Sequence, residues 1–278
     1  MDIDVLGALD VRENGVSVAP TAPKPRQVLA LLALHADRVV PVGALIEELW
    51  PNTPPRSART TLQTYVLQLR DLIAAALGPA GQDGRPGHRT PKDLLATTPG
   101  GYLLARAGGT SDVRDFERLA GQGYRAMDAG DFAGASRTLG AALDLWTGDA
   151  FADVPAGPQL TMEAKRLGES RLCALDQRIE ADLRLGRHRE VLAELTVLTS
   201  RHPAHENLHA QFMLALHHSG RRGEALAAYQ RLHTTLGRDL GMEPSPRLRR
   251  LRQLVLTAAA ESMPAAHPLP AARPVPAH

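Results

Sequence analysis

One spacing recurs three times in the second half of the chain and constrains its fold more than any other feature. A glycine is followed by small or apolar residues five, nine and twelve positions later. The three sets are Gly130, Ala135, Leu139 and Ala142; Gly186, Val191, Leu195 and Leu198; and Gly220, Ala225, Tyr229 and Leu232. Gly186 and Gly220 lie 34 residues apart, which is the period of tetratricopeptide repeats. The pattern predicts paired helices that stack and bury one continuous seam.

The rest of the second half fits this interpretation. Gly130 and Gly186 are 56 residues apart, so an insertion separates the first unit from the second. An ordinary helical bundle with coincidental glycines is the competing interpretation. Either arrangement makes residues 111–260, which are rich in Ala and Leu, an all-α domain. Residues 262–278 contain five prolines and little that can be buried, a composition that predicts a disordered tail.

The first hundred residues follow a different pattern. Residues 2–18 alternate apolar and polar side chains around Asn14-Gly15, a pair that favours a tight hairpin turn. Three helical patterns follow, and the run around Pro99-Gly100 predicts a second hairpin. This order is that of a winged helix-turn-helix with an added N-terminal sheet. We therefore expect a mainly α chain with a small β component: a winged helix-turn-helix domain at 1–108, then a tetratricopeptide-like helical repeat domain at 111–260.

The third helical pattern, residues 57–73 (SARTTLQTYVLQLRDLI), has an unusually uncharged outer face. Its predicted core positions, spaced as a buried helix face requires, are Leu62, Val66, Leu69 and Ile73. The opposite face holds Thr60, Thr64, Leu67 and Asp71, with Gln63 and Gln68 beside it and Arg59 and Arg70 nearer the core. Gln and Thr can hydrogen-bond base edges in the major groove, and marginal Arg side chains can contact phosphates. A plain surface helix is the alternative, which the flanking helices and hairpin disfavour.

Charge is distributed unevenly, although the formal net charge of the 278 residues is only +2. Residues 56–106 contain seven Arg or Lys and three Asp. This local excess is a candidate phosphate-facing patch, with a random fluctuation as the alternative.

The composition also indicates the cellular compartment in which the protein is located. The single cysteine, Cys173, excludes an internal disulfide and suits a reducing cytoplasm. No segment of the sequence has the features of a signal peptide or a membrane span. We expect a soluble cytoplasmic protein, associated with the nucleoid and not with membranes.

Several segments together carry a family resemblance. In the first half these are VLGALDV, the run APKPRQVLALLALHADRVVPVGALIEELWPNTPPRSARTTLQTYVLQLRDLI, and PGGYLL. In the second half they are GRHREVLAELTVLTSRHP and ENLHAQFMLALHHSGRRGEALAAYQRLHTTLGRDLGMEPSP. Over about residues 2 to 258 the chain resembles the Streptomyces antibiotic regulatory protein family. The first half is similar to its OmpR/PhoB-type winged helix, and the second to its bacterial transcriptional activation domain.

The resemblance implies a transcriptional activator of a secondary-metabolite, or antibiotic, biosynthetic gene cluster. Members bind direct repeats in double-stranded promoter DNA near the −35 element and recruit RNA polymerase holoenzyme. The expected contacts on the polymerase are the sigma factor and the C-terminal domain of the alpha subunit. Self-association on DNA as a dimer is also implied.

Carried onto this sequence, the resemblance assigns roles to individual residues. The base-reading positions are Gln63, Thr64 and Gln68. The DNA-backbone contacts are Arg56, Arg59, Thr60, Thr61 and Arg70, with Lys24 and Arg26 assisting. The candidate polymerase contacts, in the loop before the third helix, are Trp50, Asn52, Thr53 and Pro54.

Two departures from larger or more typical members bear on function. Many members carry Arg just before the Pro-Gly of the wing, where this chain has Thr98. Minor-groove contact through Thr98 is therefore in doubt, and Lys92 is a candidate to compensate. Larger members append a nucleotide-binding domain, whereas this sequence has no G-x-x-x-x-G-K-[ST] motif. We expect no cofactor, no ATP dependence and no phosphoacceptor receiver domain.

Residues 205–209 read HENLH, which matches the H-E-x-x-H zinc-protease pattern. Pro203 places this pattern in the first turn of a repeat helix. Glu224, the only acid downstream of it before Asp239, falls in the next repeat helix with no recognisable third-ligand motif. We expect no metal and no enzyme. A zinc metallohydrolase using His205, Glu206 and His209 is a remote alternative, and a helical repeat domain that binds a protein or small-molecule effector is the closer one.

Overall fold

A computed structural model describes residues 1–78 and 89–257. The predicted tail at 262–278, Arg85 of the basic patch and most of the predicted Gly/Pro-rich loop lie outside the described residues. By internal contacts the chain divides into two compact units, Met1–Arg178 and Ile179–His278. Within the described ranges, no helix combines the length and the apolar character needed to cross a membrane.

The first unit begins with a small antiparallel sheet. Its strands are β1 (Asp2–Asp4), β2 (Asp10–Glu13) and β3 (Val16–Ser17), in the order β1-β2-β3. Glu13 pairs with Val16, so the turn between β2 and β3 is Asn14-Gly15. The predicted N-terminal hairpin is confirmed.

A winged helix-turn-helix follows. Its helices are α1 (Pro23–Leu34), α2 (Val42–Leu49) and α3 (Ala58–Leu77). The short helix α4 (Pro91–Leu94) leads into the hairpin of β5 (Leu95–Thr98) and β6 (Gly101–Leu104). Both the three helices and the wing hairpin were predicted, and α3 continues four residues beyond the predicted Ile73.

A third strand of the wing sheet was not predicted. β4 (Val39–Pro41) pairs with β6, so that the sheet order is β4-β6-β5. A strand of three residues is too short to show the alternation of apolar and polar side chains that indicates a strand in a sequence. The strand forms because Val40 lies opposite Tyr102, and that partner is distant in sequence.

Three further helices belong to the first unit: α5 (Asp112–Asp128), α6 (Phe132–Leu143) and the part of α7 (Pro158–Arg184) up to Arg178. The carboxylate of Asp112 accepts hydrogen bonds from the backbone N–H groups of Val5 and Leu6, both at 2.6 Å. Contacts therefore cross the predicted boundary between residues 108 and 111. Whether 1–108 and 111–260 are separate folding domains stays a prediction.

The carboxylate of Glu48 supplies a second contact of this kind. Glu48 lies on α2 and is 1 % exposed. Its Oε1 accepts from the N–H of Gly157 at 2.5 Å, and its Oε2 accepts from those of Gln159 at 2.8 Å and Leu160 at 3.2 Å. Glu48 thus caps the N-terminus of α7, where a negative charge also complements the helix dipole. A side chain at Gly157 would collide with the Glu48 carbonyl oxygen, so this approach requires glycine.

The second unit is helical throughout its described part. It contains α7 from Ile179, then α8 (Leu192–Arg201), α9 (Glu206–His218), α10 (Arg222–Leu240) and α11 (Pro246–Thr257). Gly186 and Gly220, like Gly130 in the first unit, have positive φ angles of 78°, 79° and 75°. All nine apolar residues of the three repeated sets are buried. The predicted helical repeat is confirmed.

Candidate nucleic-acid interface

Helix α3 is held by the face that the sequence predicted. Leu62, Val66, Leu69 and Ile73 are each at most 1 % exposed. They pack against α1 and α2, which lie on the inner side of α3. Burying four large apolar side chains fixes the rotation of the helix about its axis, and therefore which residues face outward.

The outer face of α3 is exposed, and its two charged side chains, Arg59 and Asp71, are of opposite sign. The side chains that are exposed there are Arg59, Thr60, Gln63, Thr64, Leu67, Gln68 and Asp71. Leu67 is 58 % exposed and presents an apolar side chain on this face. The Thr64 hydroxyl donates to the Thr60 carbonyl oxygen at 3.1 Å. All three predicted base-reading residues, Gln63, Thr64 and Gln68, are exposed on this face, and a major groove is wide enough to admit an α-helix.

The N-terminus of α3 is suited to a phosphate group. Ser57 occupies the capping position but makes no side-chain capping hydrogen bond. Arg56 and Arg59 are exposed on either side of it, whereas Thr61 is half-buried. Uncapped N–H groups, the positive end of the helix dipole and flanking guanidinium groups together favour an anion.

Arg70 makes hydrogen bonds within the protein, whereas the resemblance implied a contact to the DNA backbone. Its Nε and Nη2 donate to the carbonyl oxygen of Leu95 at 3.0 and 2.8 Å, and Nη2 also donates to the Thr97 hydroxyl at 2.8 Å. Both partners lie on strand β5 of the wing. The guanidinium therefore joins α3 to the wing, so its predicted role as a backbone anchor competes with an internal one.

Lys24 and Arg26 also make internal contacts. Lys24 Nζ donates to the Leu49 carbonyl oxygen at 2.5 Å and lies 5.9 Å from the centre of the Trp50 ring. Arg26 Nη2 donates to the Leu9 carbonyl oxygen at 2.8 Å and pairs with Asp153. Their predicted assistance in DNA binding is not tested, but both cations already stabilise the fold.

Lys92 lies on α4, which leads into the wing hairpin. Lys92 is exposed, and in residues 1–78 and 89–257 it has no ion-pair partner within 4.0 Å. The Thr98 hydroxyl is buried and has no hydrogen-bond partner among the described residues, so it does not face a groove. Of the predicted basic patch, Arg89 and Arg106 bind Glu13 and Asp37 respectively. Of the patch residues that the structure describes, Arg56, Arg59 and Lys92 remain without an ion-pair partner.

The predicted polymerase-contact loop is accessible. Asn52, Thr53 and Pro54 are exposed and follow α2 directly. Trp50 is half-buried and directly follows the last residue of α2. Its backbone N–H donates to the Ile46 carbonyl oxygen at 2.8 Å. Three exposed side chains beside a fixed aromatic ring are compatible with a protein contact.

The HENLH segment has structural roles. His205 precedes α9, and its Nδ1 accepts from the N–H of Leu208 at 3.3 Å. Glu206 Oε2 accepts from the N–H of Ser245 at 2.8 Å, at the start of α11. His209 is 4 % exposed, and burial lowers its pKa to about 4, with smaller effects from Arg231 and His205. The described chain contains no cluster of three or more His, Cys, Asp or Glu side chains that could hold a metal ion.

Comparison with known proteins decides the family. Residues 111–256 match the family described as bacterial transcriptional activator domain, and residues 17–82 match transcriptional regulatory protein, C terminal. The chain is 54 % identical over 259 residues to the regulatory protein DnrI of Streptomyces peucetius, covering 93 % of each. This chain belongs to the Streptomyces antibiotic regulatory protein family. Members of the Streptomyces antibiotic regulatory protein family are transcriptional regulators and not enzymes, so the hydrolase alternative is dropped.

A more distant relative, compared by sequence and by structure, agrees with this membership. The transcriptional regulatory protein EmbR of Mycobacterium tuberculosis is 39 % identical over 256 residues, which are 92 % of this chain and 63 % of EmbR. A solved structure of EmbR in complex with a low affinity phosphopeptide matches with a TM-score of 0.81 at 37 % identity, covering 92 % of this chain and 65 % of that chain. The chain therefore covers less than two thirds of the length of EmbR.

Sequence reasoning missed the contacts that position the interface. Glu48, Asp112 and the Arg70 bonds to the wing were not predicted. Glu48 stands next to the exposed Glu47 in the sequence, and nothing local distinguishes the two. The one available signal was the run Gly157-Pro158, since Pro in the first turn marks a helix start that needs a cap.

Proposed function

We propose that this chain activates transcription of a secondary-metabolite, or antibiotic, biosynthetic gene cluster by binding direct repeats near the −35 promoter element. The observation that carries the proposal is the outer face of α3, where Gln63, Thr64 and Gln68 are exposed around Leu67. Amide groups can pair with adenine edges, and an exposed Leu can meet a thymine methyl. Arg56, Arg59 and Lys92 then contact the flanking phosphates.

Activation requires polymerase as well as DNA. The exposed loop Asn52, Thr53 and Pro54 precedes α3 and is the proposed contact for RNA polymerase holoenzyme, through the sigma factor or the C-terminal domain of the alpha subunit. Two protomers bind the two repeats in the same orientation, as a dimer on DNA. The membership of the chain in a family of transcriptional activators supports this arrangement.

Selection from random duplex DNA, followed by transcription in vitro, tests the proposal. The expected product is a motif that occurs twice in the same orientation, about 10 base pairs apart. Placed near the −35 element, this repeat should raise transcript yield only when the chain is present. An inverted repeat, no enrichment, or enrichment without activation would each contradict the proposal.

A further inference from the structure

Helices α5 and α7 border a groove that the DNA-binding role does not use. Its volume is about 810 Å3, within the usual range for small-molecule sites. Glu117 and Arg166 pair at one end at 3.3 Å, whereas Asp128 and Gln177 lie at the other. From Phe116 to Asp128 the groove runs along α5 for roughly 18 Å, at the rise of an α-helix.

The floor of the groove is apolar and aromatic. Phe116 and Ala120 are buried at 1 % and 4 % exposure. The Phe116 ring packs edge to face against the Trp146 ring, with 5.5 Å between the ring centroids. Half-buried Tyr124 continues the floor, and its pKa is raised by burial and, to a smaller extent, by the neighbouring Cys173 thiol. Such a floor binds an apolar body, and the Tyr124 ring can also bind a cation on its face.

The rim of the groove is acidic. Its charged side chains are Glu117, Asp128, Glu169 and Arg166. The single cation, Arg166, is already bound by Glu163 at 2.7 Å as well as by Glu117. Asp128 and Glu169, by contrast, have no ion-pair partner within 4.0 Å in the parts of the chain that the structure describes. The unmatched charge of the groove is therefore negative.

We propose that this groove binds a small organic cation, an amine carried on an apolar or aromatic body. The body lies against the half-buried ring of Tyr124, over the buried Phe116, and the ammonium group pairs with Asp128 or Glu169. An anion of the same shape is disfavoured, because the three rim carboxylates outnumber Arg166 and the neighbouring Arg125, whose guanidinium lies beside Gly121 of the groove. This gives the helical half of the chain an effector-binding function that is independent of which DNA it binds.

The sequence supplies a direct probe of the groove. Cys173 is the single cysteine of the chain, is exposed, and lines the groove. An occupant should shield its thiol from alkylation by the neutral reagent iodoacetamide. Tryptamine and indole-3-propionate form a matched pair of probes, because both carry an indole ring and they differ in the sign of their charge.

The alkylation rate of Cys173 in the full chain is measured with each probe. We expect tryptamine to slow alkylation several-fold in a saturable way, and indole-3-propionate to have no effect. In the double variant Asp128→Asn and Glu169→Gln, the alkylation rate of Cys173 should be the same with and without tryptamine. Asp239→Asn, which removes one carboxylate from the other unit, should keep the protection by tryptamine. Equal protection by both probes, no protection by tryptamine, or protection that survives the double variant would overturn the proposal.

Discussion

Arg70 on the recognition helix α3 and Leu95 on the wing are joined by two hydrogen bonds, from Nε at 3.0 Å and Nη2 at 2.8 Å to one carbonyl oxygen. A planar guanidinium that binds in this manner fixes both distance and orientation. The Arg70 side chain therefore links helix α3 directly to strand β5 of the wing. We infer that Arg70 acts on DNA binding chiefly by positioning the wing.

Arg70→Ala should therefore mainly change folding stability, whereas Arg59→Ala should mainly change the salt dependence of DNA binding. Loss of the Arg70 bonds should lower the free energy of unfolding by about 1.5–3 kcal/mol, since the Leu95 carbonyl oxygen loses charged donors. Arg59 is exposed and has no such bonds, so its loss should leave stability unchanged but reduce the salt dependence of DNA affinity by about 0.9 in the log–log slope. Urea unfolding and salt titrations of DNA binding measure both quantities. If Arg70→Ala instead reduced the salt dependence and Arg59→Ala reduced the free energy of unfolding, Arg70 would be the phosphate contact.

Glu48→Gln should destabilise the first unit. Both carboxylate oxygens of Glu48 accept backbone N–H bonds at the start of α7, and Gln27 Nε2 donates to Oε1 at 3.1 Å. An amide offers only one acceptor oxygen and leaves buried N–H groups unpaired, at a cost of about 1–3 kcal/mol. Glu47→Gln is the matched control, because the neighbouring Glu47 is exposed. Equal midpoints of thermal unfolding for the two variants would refute the capping role.

His209 should make the chain sensitive to mild acid. Burial lowers the pKa of His209 to about 4 in the folded state, whereas an unfolded chain has a pKa near 6.5. The unfolded state therefore binds more protons between these values, and stability falls as the pH is lowered from about 6.5 towards 4. The loss between pH 7 and pH 5 is about 2 kcal/mol from this group. His209→Leu should reduce the measured difference in unfolding free energy by that amount, and an unchanged difference would contradict the assignment.

Periodicity predicted the parts of the fold that depend on local burial. The core positions of α3 and the three glycine-led sets could be placed because apolar side chains recur at helical spacing. The wing hairpin could be placed because Pro99-Gly100 marks a turn. Each of these signals lies within a few residues of the element that it specifies.

The features that were missed depend on distant partners. β4 exists because Val40 meets Tyr102, and Glu48 is buried because α7 starts beside it. Arg70 resembles a phosphate-binding arginine in the sequence, and only the position of Leu95 shows its other role. Residue types at the candidate interface could thus be predicted, but their division into DNA contacts and internal contacts could not.

The outer face of α3 is proposed to read bases, and the Gln68 side chain is exposed on that face. Selection from random duplex DNA is run in parallel on the wild type, on Gln68→Ala, and on Gln122→Ala, a matched loss of an exposed glutamine on α5. We expect Gln68→Ala to keep the repeat but to lose about 1–3 kcal/mol of preference at one base position in each copy. Gln122→Ala should reproduce the wild-type motif. If Gln68→Ala also reproduced the wild-type motif at every position, the assignment of the reading face would be wrong.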